Sequence, residues 1–539
     1  MKTFTLKFNR LSAVIVLMLC MLCANNVKSY AQPTITLYGS GGTLTPLNAL
    51  MGGYKDYIEN VDEDFNPGLH PHHVVINAVE IEGTFSAFRI LSVTSDHLTS
   101  VGDAVFSMHK DLKEVNLSYA KKIGANSFGF CRGITKVQIP EVNNIDESAF
   151  MYCSGLVEIS MPKVRKIGDN AFTNCTKLQS VSLPSVETIG GTAFSQCTVL
   201  KDVNASRVTS IGQYAFGACT ALTEIVDFSR LENLGDMAFM GCSKLEQVIL
   251  EGAETIGNSA FENCGSLVYI HAKKVKSLDR SVFRGCDALI SVFLDEIEAI
   301  DDAIFMDKSP LQFVSIDKAK TIGSHSFAAC TSLDMISLPE VTAIGQAAFV
   351  NCHSLIQISM PKVTSIGKLA FASCESLKLW DIGRGLEKPT TVAFGPDIFG
   401  STFPGLRAGA DIAANIELII GENVLPKPAG NTWNGMTWKS VDVQPAISGI
   451  VETGRALSLQ VYPNPAKESV TVDFELAKTS DVKISLIDIS GKEMAVFYTG
   501  FAPAGMFTKT FGTAHLPSGV YLLNVSIAGK TTAKKIIIE

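Results

Sequence analysis

Residues 188–203 read T-I-G-G-T-A-F-S-Q-C-T-V-L-K-D-V, and this pattern recurs along the middle of the chain. The phenylalanine of the pattern returns every 22 residues, except for one interval of 23. Such a fixed period is typical of solenoids, in which stacked copies of one unit bury a shared core. The thirteen phenylalanines are Phe106, Phe128, Phe150, Phe172, Phe194, Phe216, Phe239, Phe261, Phe283, Phe305, Phe327, Phe349 and Phe371.

Each copy, called a rung below, contains a segment of the pattern L-x-x-V-x-L, such as residues 178–183. Its alternation of apolar and polar residues predicts a short strand with one buried face. Proline follows the strand in several rungs, where it stops the hydrogen-bond ladder from extending. The I-G-x-x-A-F-x-x-C segment is predicted to form a short helical or 3₁₀ turn. The prediction is a solenoid of parallel β-strands, with about 13 repeats of 22 residues over residues 98–382.

This pattern resembles the leucine-rich repeat, and its I-G-x-x-A-F-x-x-C-x-x-L form resembles the BspA-like subfamily of bacterial surface proteins. The resemblance implies a leucine-rich-repeat solenoid on a cell surface or in the secreted fraction. Some rungs depart from the pattern. Asp146, Asp279 and Asp301 replace the glycine of the turn, and His109 and Lys308 stand where the cysteine is expected.

Eleven of the 13 cysteines lie in the repeats, each three residues after its phenylalanine. Their number is odd and they share one structural position, so they are predicted to form a column of free thiols. Parallel side chains about 4.8 Å apart do not match the geometry of a disulfide. A single-file column also lacks the convergent directions that a zinc site needs. We expect small buried hydrophobic side chains, with no metal and no cofactor.

The flanking segments predict an exported protein with capped ends. Residues 1–31 combine a basic start with the apolar run 11–23, which is typical of a signal peptide and too short for a membrane span. Residues 32–97 and 383–445 are predicted to be the N-terminal and C-terminal caps of the solenoid. The first contains His70-Pro-His-His73, interpreted as a loop rather than a metal site. Residues 446–458 are predicted to be a linker.

Residues 459–539 alternate between apolar and polar residues and predict a small all-β Ig-like sandwich. They resemble the C-terminal sorting domain of the type IX secretion system, which implies a Bacteroidetes-type cell and contact with that secretion machinery. The residues that carry the resemblance are Tyr462, Pro463, Asn464, Pro465, Gly491, Leu516, Gly519, Tyr521, Lys534 and Lys535.

The sequence contains none of the familiar catalytic motifs, so an enzyme is not expected. The net charge of −8 disfavours a nucleic-acid partner, because phosphates are bound by clustered Lys and Arg. Binding through the strand face is favoured instead. The residues eight and ten positions after each phenylalanine should point outward, and they are mostly polar in the first five rungs. In the middle rungs they become apolar or aromatic: Val226, Ile249, Tyr269, His271, Phe293, Phe313 and Met335.

Exposed apolar patches tend to be interaction sites. We therefore expect an adhesin-like binding protein, secreted or attached to the outer-membrane surface, whose ligand is a host matrix protein or another bacterial surface protein. The alternative is a structural or accessory component of the cell envelope with no host ligand. A cap loop over the patch, or simple tolerance of apolar residues, would also explain these side chains.

Overall fold

The computed structural model describes residues 3–6, 34–38, 43–44, 72–77, 80–81, 83, 85, 89–226, 228–279, 281–386, 388–395, 397–400, 412–444, 460–462, 466–476, 480–488, 493–502, 505–514, 516–517, 519–527 and 530–538. The chain forms two units. The first comprises residues 1–287 with 293–304, and the second comprises residues 288–292 with 305–539. Each unit is described by itself.

The longer strands form parallel sheets, together called the face sheet, with one strand in each rung. Neighbouring strands are parallel and in register, so that Val137 pairs with Ile159 one rung later. In the first unit the strands are Thr3–Leu6, Thr34–Tyr38, His72–Asn77, Ile90–Ser95, Glu114–Leu117, Lys136–Gln138, Glu158–Ser160, Ser180–Ser182, Asp202–Asn204, Glu224–Val226, Gln247–Leu250 and Tyr269–Ala272. Those of the second unit are Phe313–Ser315, Met335–Ser337, Gln357–Met360, Leu379–Ile382, Glu417–Gly421 and Ser440–Gln444, and Ser291–Phe293 spans the division.

Two-residue strands form two further parallel sheets, which contribute one strand to nearly every rung. Each ends on a buried aliphatic residue in nearly every rung, such as Ile167 and Ile189, which pair in register. The strands are Thr43–Leu44, Glu80–Ile81, Ser100–Val101, Lys122–Ile123, Asn144–Ile145, Lys166–Ile167, Thr188–Ile189, Ser210–Ile211, Asn233–Leu234, Thr255–Ile256, Ala299–Ile300, Thr321–Ile322, Ala343–Ile344, Ser365–Ile366 and Ala393–Phe394. Four further short strands form two pairs near the end of the solenoid: Thr390–Thr391 with Val424–Leu425, and Thr432–Trp433 with Met436–Thr437.

The segment around each phenylalanine is a run of turns, so the prediction of a helical or 3₁₀ turn was wrong. The residues two before and two after the phenylalanine have positive φ, as in Asn170 at 57° and Asn174 at 60°. These positive φ values direct main-chain N–H groups toward the next rung. The Phe172 N–H donates to the Ala193 carbonyl at 2.7 Å, and the Asn174 N–H donates to the Ser195 carbonyl at 2.9 Å. A helix would satisfy these donors within the rung instead.

The core consists of columns of identical side chains. Phe172 and Phe194 are stacked with ring centroids 5.1 Å apart and planes 6° from parallel, and the neighbouring pairs are similar. The cysteine and leucine columns are buried beside them. A single rung cannot bury these faces, so stacking provides the stability, as the period predicted.

The leucine-rich-repeat fold extends beyond the thirteen rungs expected from the phenylalanines. It covers residues 73–444 in about 16 turns. Upstream, Val93 of strand Ile90–Ser95 pairs with Val115, and downstream Trp380 pairs with Leu418 of strand Glu417–Gly421. These outer turns were missed because they lack the recurring Phe and Cys, although their strands keep the register. Near the C-terminal end, Trp433 and Trp438 are buried in an aromatic cluster, as a core position requires.

The C-terminal segment contains two antiparallel sheets. One consists of Gln460–Tyr462, Ser469–Leu476 and Gly505–Gly512. The other consists of Glu493–Ala502, Ser480–Asp488, Gly519–Ile527 and Lys530–Ile538. Side chains from both sheets, among them Val472, Phe474, Ile484 and Val525, belong to one hydrophobic cluster. The antiparallel strands agree with the sequence pattern, while an immunoglobulin-like arrangement stays a prediction.

Candidate functional site

The face sheet has the predicted orientation in the first rungs. In strand Glu114–Leu117, Glu114 and Asn116 are exposed, whereas Val115 and Leu117 are buried. Strands Glu158–Ser160, Ser180–Ser182 and Asp202–Asn204 repeat this alternation. The positions eight and ten residues after each phenylalanine therefore form the solvent face, and it is polar here.

The middle of the face differs from the expected exposed patch. Tyr269 is 0% exposed and His271 is 9% exposed, so strand Tyr269–Ala272 is buried on both sides. The expectation that these two side chains offer surface to a partner was wrong. Burial of the phenol, together with the nearby carboxylates of Glu251 and Asp295, raises the pKa of Tyr269, so its hydroxyl stays protonated.

His271 lies between two carboxylates. Its Nε2 is 3.1 Å from Oδ2 of Asp295, and its Nδ1 is 3.7 Å from Oε1 of Glu251. The other oxygen of Glu251, Oε2, is 3.8 Å from Nζ of Lys273. The imidazole is therefore fixed by charged groups from the two neighbouring rungs, since the three residues Glu251, Lys273 and Asp295 occupy the same position of successive rungs. This polar cluster lies within the first unit.

The aromatic part of the cluster is Phe293. Its ring centroid lies 5.7 Å from that of Tyr269 and 6.0 Å from that of His271, to which it is nearly perpendicular. Phe293 and Ile249 are half-buried, and Ile249 pairs with His271 across the strands. Among the described members of the predicted patch in the first unit, these two side chains present apolar surface.

The remaining members of the predicted patch lie elsewhere. Phe313 and Met335 are half-buried at the outward positions of their strands in the second unit. The side chain of Val226 is outside the described residues. The structure thus assembles Ile249, Tyr269, His271 and Phe293 into one cluster of the first unit.

Sequence reasoning missed Glu251, Lys273 and Asp295. They stand twelve residues after the phenylalanine, the position that Pro140, Pro162 and Pro184 occupy in earlier rungs. The loss of this proline in successive rungs, together with the change to apolar outward residues, could have indicated the cluster. Charged residues at a loop position are common, and that is why they were not singled out.

Among the described residues, no group of His, Cys, Asp or Glu has the arrangement of a metal site. Of the histidines near residue 70, His72 and His73 begin strand His72–Asn77, so the interpretation of these two residues as part of a loop was wrong, and Nδ1 of His73 lies 2.7 Å from Oγ of Ser92. His70 lies outside the described residues. None of the helices in the described ranges is both long and apolar enough to cross a membrane.

The residues of the sorting-domain resemblance are described in part. Tyr521 is buried and its hydroxyl donates to the carbonyl of Pro517 at 2.8 Å, while Leu516 and Gly519 are half-buried. Burial lowers the pKa of Lys534. Pro463, Asn464, Pro465 and Gly491, and the side chains of Tyr462 and Lys535, lie outside the described residues.

Comparison with known families gives two matches. The model of the BspA type leucine rich repeat region matches six copies at residues 82–201, 165–290 and 298–396. The model of the secretion system C-terminal sorting domain matches residues 460–539. No curated protein matches the chain.

Solved structures of bacterial leucine-rich-repeat proteins are similar to parts of the chain. A leucine-rich repeat protein from Bacteroides ovatus ATCC 8483 is 27% identical, with a TM-score of 0.41, over 56% of this chain and 89% of that one. A leucine rich cell surface protein from Faecalibacterium prausnitzii A2-165 is 25% identical, with a TM-score of 0.33, over 57% of this chain and 89% of that one.

Proposed function

Because the chain belongs to the family of BspA-type leucine-rich repeat proteins, we propose that it is an adhesin-like protein that binds another protein through its face sheet. The sorting domain at residues 460–539 indicates export by type IX secretion, so the protein reaches the cell surface or is secreted. The proposed activity is binding without catalysis. An immunoglobulin-like sandwich is the fold we propose for the sorting domain.

The observation that carries the proposal is the change in character of the face sheet at Phe293 and Ile249. Both side chains keep apolar surface accessible, on a face where earlier rungs present Glu, Ser, Asp and Asn. Aromatic residues are enriched in the cores of protein interfaces and dominate their binding energy. We therefore place the centre of the binding site at Phe293, with Ile249 beside it.

The polar residues around Phe293 support this choice. Asp295 is hydrogen-bonded to His271, and Glu251 lies near both His271 and Lys273, so the charged groups next to the aromatic ring are already positioned. Side chains that are ordered before binding lose less conformational entropy when the partner docks. A rigid aromatic anchor with a fixed polar rim fits a specific protein contact better than a passive spacer.

The test compares two variants at equivalent positions. Phe293 and Asn204 both lie ten residues after their phenylalanine. Full-length protein carrying Phe293→Ser should lose the host matrix proteins that the wild type captures, and Asn204→Ser should retain them. Tyr269 is left unchanged, because a serine in its fully buried position would disrupt packing rather than test binding.

The alternative function is a structural or accessory component of the cell envelope without a host ligand. Capture experiments with host extracellular matrix and with the bacterium's own envelope proteins, run in parallel, separate the two functions. If the wild type recovers only envelope proteins, the adhesin function is rejected. Equal capture by Phe293→Ser and the wild type would reject the site.

A further inference from the structure

An open depression of about 840 Å³ lies in the first rungs of the solenoid, away from the face-sheet cluster. It is lined by Asp96, His97, Ser118, Tyr119 and Glu141, which all belong to the first unit. The lining combines one aromatic ring with two carboxylates, a hydroxyl and an imidazole. The proposed function does not use this site.

The strand register creates the depression. Ser95 pairs with Leu117, so the residues that follow these strands, Asp96 and Ser118, stand beside each other in adjacent rungs. His97, Tyr119 and Glu141 also stand beside one another in three successive rungs, because each is 22 residues after the one before. Adjacent rungs are about 4.8 Å apart, which is within reach of one small ligand. The next two rungs carry Pro140 and Pro162 at the position of Ser118, which is the smaller residue.

Tyr119 departs from the other residues of its column. Its side chain is 57% exposed, whereas the equivalent positions in the next three rungs hold Glu141, Lys163 and Ser185. A large aromatic ring in solvent gains nothing from its exposure in the free protein. The face of a phenol ring carries partial negative charge and attracts cations.

The carboxylates beside the ring reinforce this preference. Nζ of Lys163 lies 2.7 Å from both oxygens of Glu141, which orients that carboxylate and offsets its charge. Asp96 adds a second carboxylate and is exposed. Glu141, Lys163 and Asp96 together carry a formal charge of −1, on a protein whose net charge is −8. A monovalent cation is the charge that complements them.

We propose that the depression binds a guanidinium group, the side chain of an arginine on a basic protein partner. The planar guanidinium stacks on an aromatic ring and donates two parallel hydrogen bonds to a carboxylate, which an ammonium group does not. Tyr119 supplies the stacking face and the carboxylate of Asp96 supplies the two acceptors, since both oxygens of Glu141 are already bound by Lys163. A neutral sugar also stacks on tyrosine, and it is the competing ligand in the test.

The test uses two probes of nearly the same shape, N-acetyl-arginine methylamide and N-acetyl-citrulline methylamide, which differ in charge. Their dissociation constants for the full-length protein are measured by ligand-observed NMR at low salt. The arginine probe should bind several-fold more tightly than the citrulline probe. Tyr119→Leu should weaken arginine binding about two- to five-fold, the loss of one exposed cation–π contact, without changing citrulline binding. Asp96→Asn should weaken arginine binding as well.

Tyr152→Leu provides the matched control, because Tyr152 stacks on Phe130 at 5.0 Å and does not line the depression. It should bind arginine as the wild type does. Equal affinities for arginine and citrulline would overturn the proposal, as would a Tyr119→Leu variant with unchanged arginine affinity. Tyr119-dependent binding of methyl glucoside, tighter than that of arginine, would also overturn it and assign the depression to a carbohydrate.

Discussion

The thiol of Cys153 donates to the main-chain oxygen of Phe128, 25 residues earlier, at a sulfur–oxygen distance of 3.1 Å. The same contact joins Cys175 to Phe150 and Cys197 to Phe172. Each thiol therefore ties its rung to the carbonyl of the rung before, and this role explains why cysteine recurs without forming disulfides. All eleven cysteines of the repeats are free and buried.

The first prediction concerns thiol reactivity. Only the thiolate reacts quickly with iodoacetamide, and burial keeps these groups protonated and inaccessible. The native protein should show no alkylation of the eleven repeat cysteines after minutes at pH 8, and complete alkylation in guanidinium chloride. Mass spectrometry of the intact protein counts the adducts. Rapid modification of several thiols without denaturant would show that the column is open to solvent.

The second prediction concerns stability at alkaline pH. Burial raises the pKa of Cys197 from 9.0 to about 12, and those of its column neighbours Cys175 and Cys219 well above 9.0. Since the folded pKa is the higher one, the stabilisation is fully present below pH 9 and is lost as the pH rises toward the folded value. The free energy of unfolding should fall by about 1.4 kcal/mol per pH unit for each such thiol.

Urea unfolding between about pH 9 and 10.5 measures this slope, within the interval that separates the two pKa values of Cys197. In the variant Cys197→Ala the free energy of unfolding should fall less steeply with pH than in the wild type. The difference should equal the contribution of one thiol, about 1.4 kcal/mol per pH unit, because one ionisable group has been removed. Identical slopes for the two proteins would mean that Cys197 does not contribute to the pH dependence.

The sequence predicted the columns of side chains that repeat along the solenoid but missed the main-chain conformation that repeats with them. The period fixed the position of Phe172 and its column, because stacked rungs place like residues on like. The positive φ at Asn170 and Asn174 was not predicted, since the same positions hold Thr192 and Tyr214 in other rungs and show no common residue type. Here the inter-rung hydrogen bonds override the local preferences of the side chains.

The candidate site was predicted only in part, for a similar reason. The alternation of the strand predicted Phe293 at an outward position, and in the structure its ring contacts that of Tyr269, another predicted outward residue. It could not give the burial of Tyr269, which depends on contacts with residues from other rungs. Nor did it pair His271 with Asp295, since these residues are 24 positions apart and neither is part of the repeat pattern.

The third prediction tests the positive φ values. Ala218 has a φ of 57°, and the equivalent positions in the rungs of Phe239 and Phe283 hold Gly241 and Gly285. Glycine adopts this conformation without the steric cost that other residues incur. Ala218→Gly should leave the free energy of unfolding unchanged or raise it by up to about 1 kcal/mol. Ala218→Val should lower it by about 1–2 kcal/mol, because a branched Cβ is poorly tolerated at positive φ.

Urea midpoints of the two Ala218 variants, compared with the wild type, are the measurement. The expected outcome is a glycine variant at least as stable as the wild type and a valine variant that is the least stable of the three. A valine variant as stable as the wild type would show that residue 218 does not hold the left-handed conformation in solution.

The fourth prediction uses two adjacent glycines of one rung. A Cβ on Gly190 would lie 2.6 Å from the main-chain nitrogen of Asp169 in the preceding rung, whereas a Cβ on Gly191 would come no nearer than 3.4 Å to its neighbours. Gly190→Ala should therefore force the rungs apart and lower the free energy of unfolding by about 1–3 kcal/mol. Gly191→Ala should be tolerated, or stabilise the protein by about 0.5 kcal/mol, because alanine restricts the unfolded chain.

Thermal unfolding of both variants, followed by circular dichroism, measures the difference. Equal melting temperatures would contradict the close approach of rungs at Gly190, and a destabilised Gly191→Ala would show that Cβ contact distance does not decide the outcome.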